Sequence, residues 1–202
     1  LLTAGDPERA EAQLQRAVAL EPGAVVGWTR LGDTQIGEND EAAQWSYLKA
    51  LRSTRLPLPW PSHYPLEPGL IRTLSRLLPD GDDAWERELS AFLSERVEDV
   101  HSADEQEMVE AAVLELVAVH ISRGEREAAR QMLTEQLQCI TDYEYGQPAH
   151  TLTIALAEIE TDLGHHDDAE RRLRVLRGAP EPLVAQANLV LGRIAMMRQE
   201  PW

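Results

Sequence analysis

The sequence predicts an all-α chain of stacked helix pairs, and three observations carry that prediction. A short phrase recurs four times: GDPERA (Gly5 to Ala10), GENDEA (Gly37 to Ala42), GEREAA (Gly124 to Ala129) and GHHDDA (Gly164 to Ala169). Each is a glycine, four mostly polar residues and an alanine, and a recurring unit of this size marks a stacked-repeat protein. Each phrase also leads into a stretch whose apolar residues recur at helical spacing. Finally, 43% of the residues are hydrophobic but only 5% aromatic, with Phe92 the single phenylalanine. The core must therefore come from Leu, Ala, Val and Ile.

The elements follow in order. Gly5 can take a positive φ and close the turn from a preceding helix. Asp6 suits the cap of the next helix, Pro7 its first turn, and Glu8 the positive end of its dipole. Ala10, Leu14, Ala17, Val18 and Leu20 then share a face, until Pro22 and Gly23 stop the helix. Trp28, Leu31, Gly32 and Gln35 open a second helix that ends near Gly37. Val113, Leu116 and His120 lead to Gly124, followed by Ala129, Leu133 and Gln136. Thr153, Leu156 and Ala157 lead to Gly164, followed by Ala169, Leu173 and Leu176. Asn188, Leu191, Gly192 and Ala195 begin one more unit. The four glycines are separated by 32, 87 and 40 residues. The long gap calls for an extra helical pair, Pro68 to Leu78 and Asp83 to Val97, joined by Pro79-Asp80-Gly81. The chain divides accordingly into residues 1–55, 56–100 and 101–202.

These positions resemble the tetratricopeptide repeat family, in which two antiparallel helices form a unit of about 34 residues. Trp28, Leu31 and Gly32 match the first helix of that pattern. Ala10, Leu14, Ala17 and Pro22 match its second helix and exit turn. Ala43, Tyr47 and Ala50 repeat the set with one residue missing between Gly32 and Gly37. The resemblance covers about two thirds of the chain and implies a right-handed superhelical solenoid. Its small residues fall where helices cross most closely, at separations of about 8–10 Å.

Formal charge is −16, from 35 acidic and 19 basic side chains. Nucleic-acid binding needs clustered cations to neutralise phosphates, so the acidic balance argues against it, as it does against an anionic membrane surface. Every basic residue except Lys49 is arginine. That reads as the coding bias of a GC-rich bacterium, with salt adaptation the alternative. The single cysteine, Cys139, excludes an intramolecular disulfide and, lying between Leu137 and Ile140, reads as a buried, inert thiol. No apolar run reaches the roughly 18 residues of a membrane span. The chain opens at Leu1 partway through a repeat and so reads as a fragment; the absence of a signal peptide is then uninformative, and the compartment stays open, with the cytoplasm slightly favoured.

Several segments are candidates for function. The proline-rich stretch Leu56 to Pro68 carries Trp60 and Tyr64 and favours an extended path. It reads as a connector pinned by its aromatics, or as a strap or docking segment. Met108 to Ile121 is apolar on nearly every face and needs cover all round, from flanking helices, a partner or the strap. In the family, the first helix of each unit lines a concave groove. The resemblance implies that Val26, Thr29, Asp33 and Ile36 line it first, then Ala111, Leu114, Ala118 and Ile121. Ile154 and Glu158, with Thr151 and Thr161, come next, then Leu189, Arg193 and Met196, with Gln186. Val26, Thr29, Arg30 and Asp33 stand where one family subtype carries its clamp for carboxylate tails, so such a clamp is not supported.

No catalytic constellation emerges: there is no G-x-S-x-G, no phosphate-binding glycine loop and no pair of metal ligands on one helix face. His165, His166, Asp167 and Asp168 are consecutive and point in different directions, which suits a polar turn and helix cap rather than a metal. The expectation is a non-catalytic scaffold without metal or cofactor, holding an apolar or basic protein segment in its groove. The alternative is a regulatory or assembly arm of a larger enzyme or secretion complex. Incomplete units at both ends also allow self-association.

Overall fold

The computed structural model describes residues 7–53, 69–77, 83–96, 103–141 and 149–198. Among these the chain is all-α, without a strand. The first three helices are α1 (Pro7–Leu20), α2 (Val25–Gln35) and α3 (Asp40–Ser53). The middle pair is α4 (Gly69–Leu77) and α5 (Asp83–Arg96), within the two stretches expected for the extra pair. Then come α6 (Ala103–Ser122), α7 (Arg126–Thr141), α8 (His150–Asp162) and α9 (His166–Arg174). A 3-10 turn, Val175–Gly178, leads into α10 (Glu181–Met197). The proline-rich stretch with Trp60 and Tyr64, the Pro79-Asp80-Gly81 turn and the first glycine phrase up to Asp6 lie outside the described residues.

Three of the recurring glycines close helix-to-helix turns with positive φ: Gly37 at 83°, Gly124 at 79° and Gly164 at 82°. Two of the turns are alike in their bonds. Gly124 N–H donates to Ile121 O at 2.9 Å and Glu125 N–H to His120 O at 2.8 Å. Gly164 N–H donates to Thr161 O at 3.1 Å and His165 N–H to Glu160 O at 2.7 Å. This is the Schellman pairing, which satisfies the last helical carbonyls and needs a left-handed residue at the glycine. The Gly37 turn differs. Asn39 N–H returns to Gln35 O at 2.8 Å, and Gly37 N–H donates to the Asp40 carboxylate at 2.8 Å. Asn39 Oδ1 then caps α3 by accepting from Ala42 N–H at 3.1 Å. The altered turn rotates α3 by one residue relative to its phrase. Ala129 and Ala169 close their phrases and are fully buried, whereas here Ala43 is buried in place of Ala42.

Small residues set the helix spacing. A Cβ built on Gly32 would stand 2.8 Å from the ring of Tyr47, so α2 and α3 touch through a missing side chain. On the other flank of α2, a Cβ on Gly27 would meet Val18 of α1 at 3.0 Å. Each helix packs on its sequence neighbour or the next but one. α1 lies on α2, α2 on α3, α3 on α4, and α5 through α9 each on the following helix. In addition, α4 contacts α6, α6 contacts α8, and α8 contacts α10.

This accounts for α6, whose apolar residues run all round: α4, α5, α7 and α8 all pack against it. Those neighbours bury Met108, Val109, Ala111, Ala112, Val113, Leu116 and Val117, while Ala118 and Ile121 stay exposed. Two-sidedness also explains α8. Leu152, Leu156 and Ile159 join the larger core cluster, and Ile154 and Ala157 join a smaller one with α9 and α10.

Two readings of the sequence need correction. Cys139 is exposed on α7, not buried, because its apolar neighbour Leu137 is half-buried on a different part of the helix surface. On α1 the inward face is Ala10, Leu14 and Val18; Ala17 and Leu20 are exposed, since among the described residues α2 is the helix packed most closely on α1 and it covers the other face.

Two sets of substitutions test this packing. Gly164→Ala should cost about 1 kcal/mol through its positive φ alone, because a Cβ there meets nothing within 4 Å. Gly32→Ala should cost about 1–3 kcal/mol by overpacking, and Tyr47→Leu should remove most of that increment. Urea midpoints of the single and double variants read both; additivity at Gly32 and Tyr47 would contradict the contact. Glu110 provides the second test. Burial raises its pKa, against the hydrogen bond from Gln106 at 2.8 Å and with the nearby charge of Glu107. A carboxylate with a raised native pKa weakens the fold above that pKa, and the penalty is relieved as pH falls. Glu110→Gln should therefore stabilise the protein at neutral pH, with an advantage that shrinks in mild acid.

Candidate functional site

The groove positions divide by burial. Thr29, Ala111 and Ile154 are buried and so do not line an open groove; the Thr29 hydroxyl donates within its own helix, to Val25 O at 3.0 Å. Val26 and Leu114 are half-buried, and Leu114 packs against the core cluster. Asp33 is at the surface, ion-paired to Arg30 at 3.1 Å, and accepts the Tyr47 hydroxyl at 2.7 Å. Ile36, Ala118, Ile121 and Glu158 are exposed. On α10, Leu189 and Met196 are 76% and 60% exposed, two turns apart on one side of the helix with Arg193 between them.

The structure brings Glu158 and Arg193 together. Arg193 Nη2 donates to Glu158 O at 3.2 Å and to Asp162 Oδ1 at 2.9 Å, tying α10 to α8. Arg126 of α7 reaches the same Asp162 carboxylate at 4.0 Å. Arg193 Nε is buried without a hydrogen-bond partner among the described residues.

A second surface was not singled out from the sequence. Between α1 and α3, above α2, lies an open cleft of about 660 Å³. Its α2 floor is Trp28, Leu31 and Gln35, on the opposite side of that helix from Val26, Thr29, Asp33 and Ile36. Gln15, Val18, Ala19 and Pro22 form one wall, and Glu41, Ala42, Trp45 and Ser46 the other. The Trp28 indole N–H donates to Pro22 O at 2.8 Å, and its ring meets Trp45 edge-on at 5.1 Å. Lys49 Nζ lies 5.1 Å from the Trp45 ring centre. A polar chain crosses one end of the cleft. The Ser46 hydroxyl donates to Gln35 Oε1 at 2.8 Å, and Gln35 Nε2 to Glu11 Oε1 at 2.8 Å. The available signal was Trp45 followed one helical turn later by the only lysine, which put the ring and its cation on one exposed face.

A related cleft of about 580 Å³ lies over α6, between α5 and α7. Leu93, Leu116 and Met132 line it, with Gln136, whose buried Oε1 has no hydrogen-bond partner among the described residues.

The His165–Asp168 run is a turn and helix start. His165 occupies the N-cap of α9 without a side-chain cap bond. Asp167 pairs with Arg198, and Asp168 with Arg171 at 3.1 Å. No group of three or more His, Cys, Asp or Glu is placed to hold a metal among the described residues. Hydrogen bonding from Arg174, then Arg198, holds the Glu170 carboxylate below its ordinary range. The buried Glu160, 1% exposed, accepts from Arg172 Nε with both oxygens at 2.9 and 3.0 Å, joining α8 to α9.

Arg172→Leu should cost about 3 kcal/mol, because it strands the Glu160 charge in the interior, while pairing it with Glu160→Leu should recover much of the loss. Thermal unfolding of the single and double variants checks this; equal destabilisation by both would contradict it. Compared with protein-family models and with curated proteins, the chain matches none.

Proposed function

We propose that this chain is a right-handed superhelical solenoid of the tetratricopeptide kind and acts as a non-catalytic scaffold. It takes a peptide or helix of a partner protein along the face shared by α2, α6, α8 and α10. One feature supports the solenoid: among the described residues, each helix with extensive contacts makes them with its neighbour in sequence or the next but one. The observation that carries the binding role is the α10 stripe, where Leu189 and Met196 stand in solvent beside Arg193. Large apolar side chains grouped on one exposed face mark an interaction surface more often than solitary ones do. Glu158 and Asp33 on the same face, within a chain of charge −16, favour a partner with apolar and basic side chains.

Leu189 is the cleaner probe than Leu114, since a charge at Leu114 would also disturb the core. With the 202-residue chain as bait, Leu189→Glu and Met196→Glu should each weaken capture of a specific partner at least tenfold, about 1.4 kcal/mol. Helical content and melting should be unchanged. A partner retained equally by both variants would remove this face from the binding role.

A further inference from the structure

We propose a second docking site, on the other side of α2 from the groove: the trough between α1 and α3 takes one face of a basic amphipathic helix from a partner protein. The proposal is independent of the groove reading. An open trough leaves a small molecule much of its surface in water, whereas small-molecule sites enclose most of their ligand. A polypeptide fits it better. The α1 wall presents Val18 and Ala19 and the α3 wall Ala42 and Trp45, each with further contacts about one turn away. That length matches a helix presenting side chains at i, i+3/i+4 and i+7.

Trp45 is the anchor. It is 53% exposed, while the adjoining Trp28 is 8% exposed and is locked by its bond to Pro22 O. The edge-on contact and the Lys49 cation hold the Trp45 ring in place before anything binds. A large aromatic already ordered at the mouth of an apolar cleft loses little entropy on binding, and tryptophan is prominent among residues that dominate interfaces. The floor takes apolar groups at low cost, because Ser46 and Gln35 already satisfy each other and Glu11. Among the described residues the cleft over α6 has no aromatic in its lining and holds the unpartnered Gln136 Oε1, which an apolar ligand would seal away from water. The sign of the partner's charge follows from Glu41 in the wall and Glu11 behind Gln35, which stand at the end away from Lys49. Lysine or arginine flanking the apolar stripe meets those carboxylates, and an acidic helix is repelled.

The test uses the 202-residue chain as target for a displayed library of helical peptides randomised on all faces. Peptides enriched on it are then measured by fluorescence anisotropy against the wild type, Ala42→Trp, Trp45→Ala and Leu189→Glu. The expected result is an apolar stripe with Lys and Arg in excess and a Kd raised at least tenfold by both Ala42→Trp and Trp45→Ala. Leu189→Glu should change it less than twofold. Trp45→Ala, at a half-exposed position, keeps the test decisive if Ala42→Trp fails to fold. Failure to enrich, acidic sequences, or binding indifferent to the trough variants overturns the proposal. Peptides lost only with Leu189→Glu overturn it too, and assign binding to the groove instead.

Discussion

Close approach of helices through missing side chains is the constraint on which the rest depends. With aromatics at 5%, the chain has few large residues to bridge wide gaps between helices. It draws the helices together instead, with Gly32 against the Tyr47 ring and Ala43, Ala129 and Ala169 fully buried. A gap of even one methylene is costly in a core of this kind, because interiors pack at near-crystalline density. The turns serve the same end. A left-handed glycine reverses the chain within a few residues and satisfies the last carbonyls, so consecutive helices start within contact distance. Since each helix needs only near neighbours, the same two devices can be reused along the chain.

Much of this was legible because it is local. A glycine at a helix end and an alanine five residues on are read from short spacing and need no knowledge of distant contacts. Trp28, Leu31, Ala43, Tyr47, Ala50, Leu116, Leu133 and Leu156, read from the repeat spacing and its resemblance to the family pattern, are all buried. Periodicity was weaker where helices are covered on two sides. It could not say that Thr29, Ala111 and Ile154 face neighbouring helices rather than solvent, since successive residues differ by about 100° around the axis and small rotations decide the matter. Cys139 and Leu20 fail in the other direction: apolar character in the sequence does not supply a helix to cover them. The α1–α3 cleft was invisible for a similar reason. Its walls come from separate helices, and only Trp45 with Lys49 carried a local sign of it.

Charge plays a different part at the two ends of the described chain. Around α8 to α10, arginines cross between helices: Arg172 to Glu160, Arg193 to Asp162, and Arg198 to Glu170 and Asp167. The surface pairs fix orientation more than they add stability, whereas the buried Glu160 depends on its partner. At the α1–α3 end, acids stand beside an open apolar cleft, with Lys49 on its tryptophan. A chain of this net charge attracts cationic surfaces at long range, and apolar anchors then decide where they dock.

Small-angle scattering on the monomeric chain tests the helix array most directly. A compact globule of 202 residues has a radius of gyration of about 16–17 Å. The proposed solenoid predicts a clearly larger value, with a distance distribution tailing well beyond that of a sphere. A radius at the globular value, with a symmetric distribution, would mean that the helices fold back on one another, and would contradict the account.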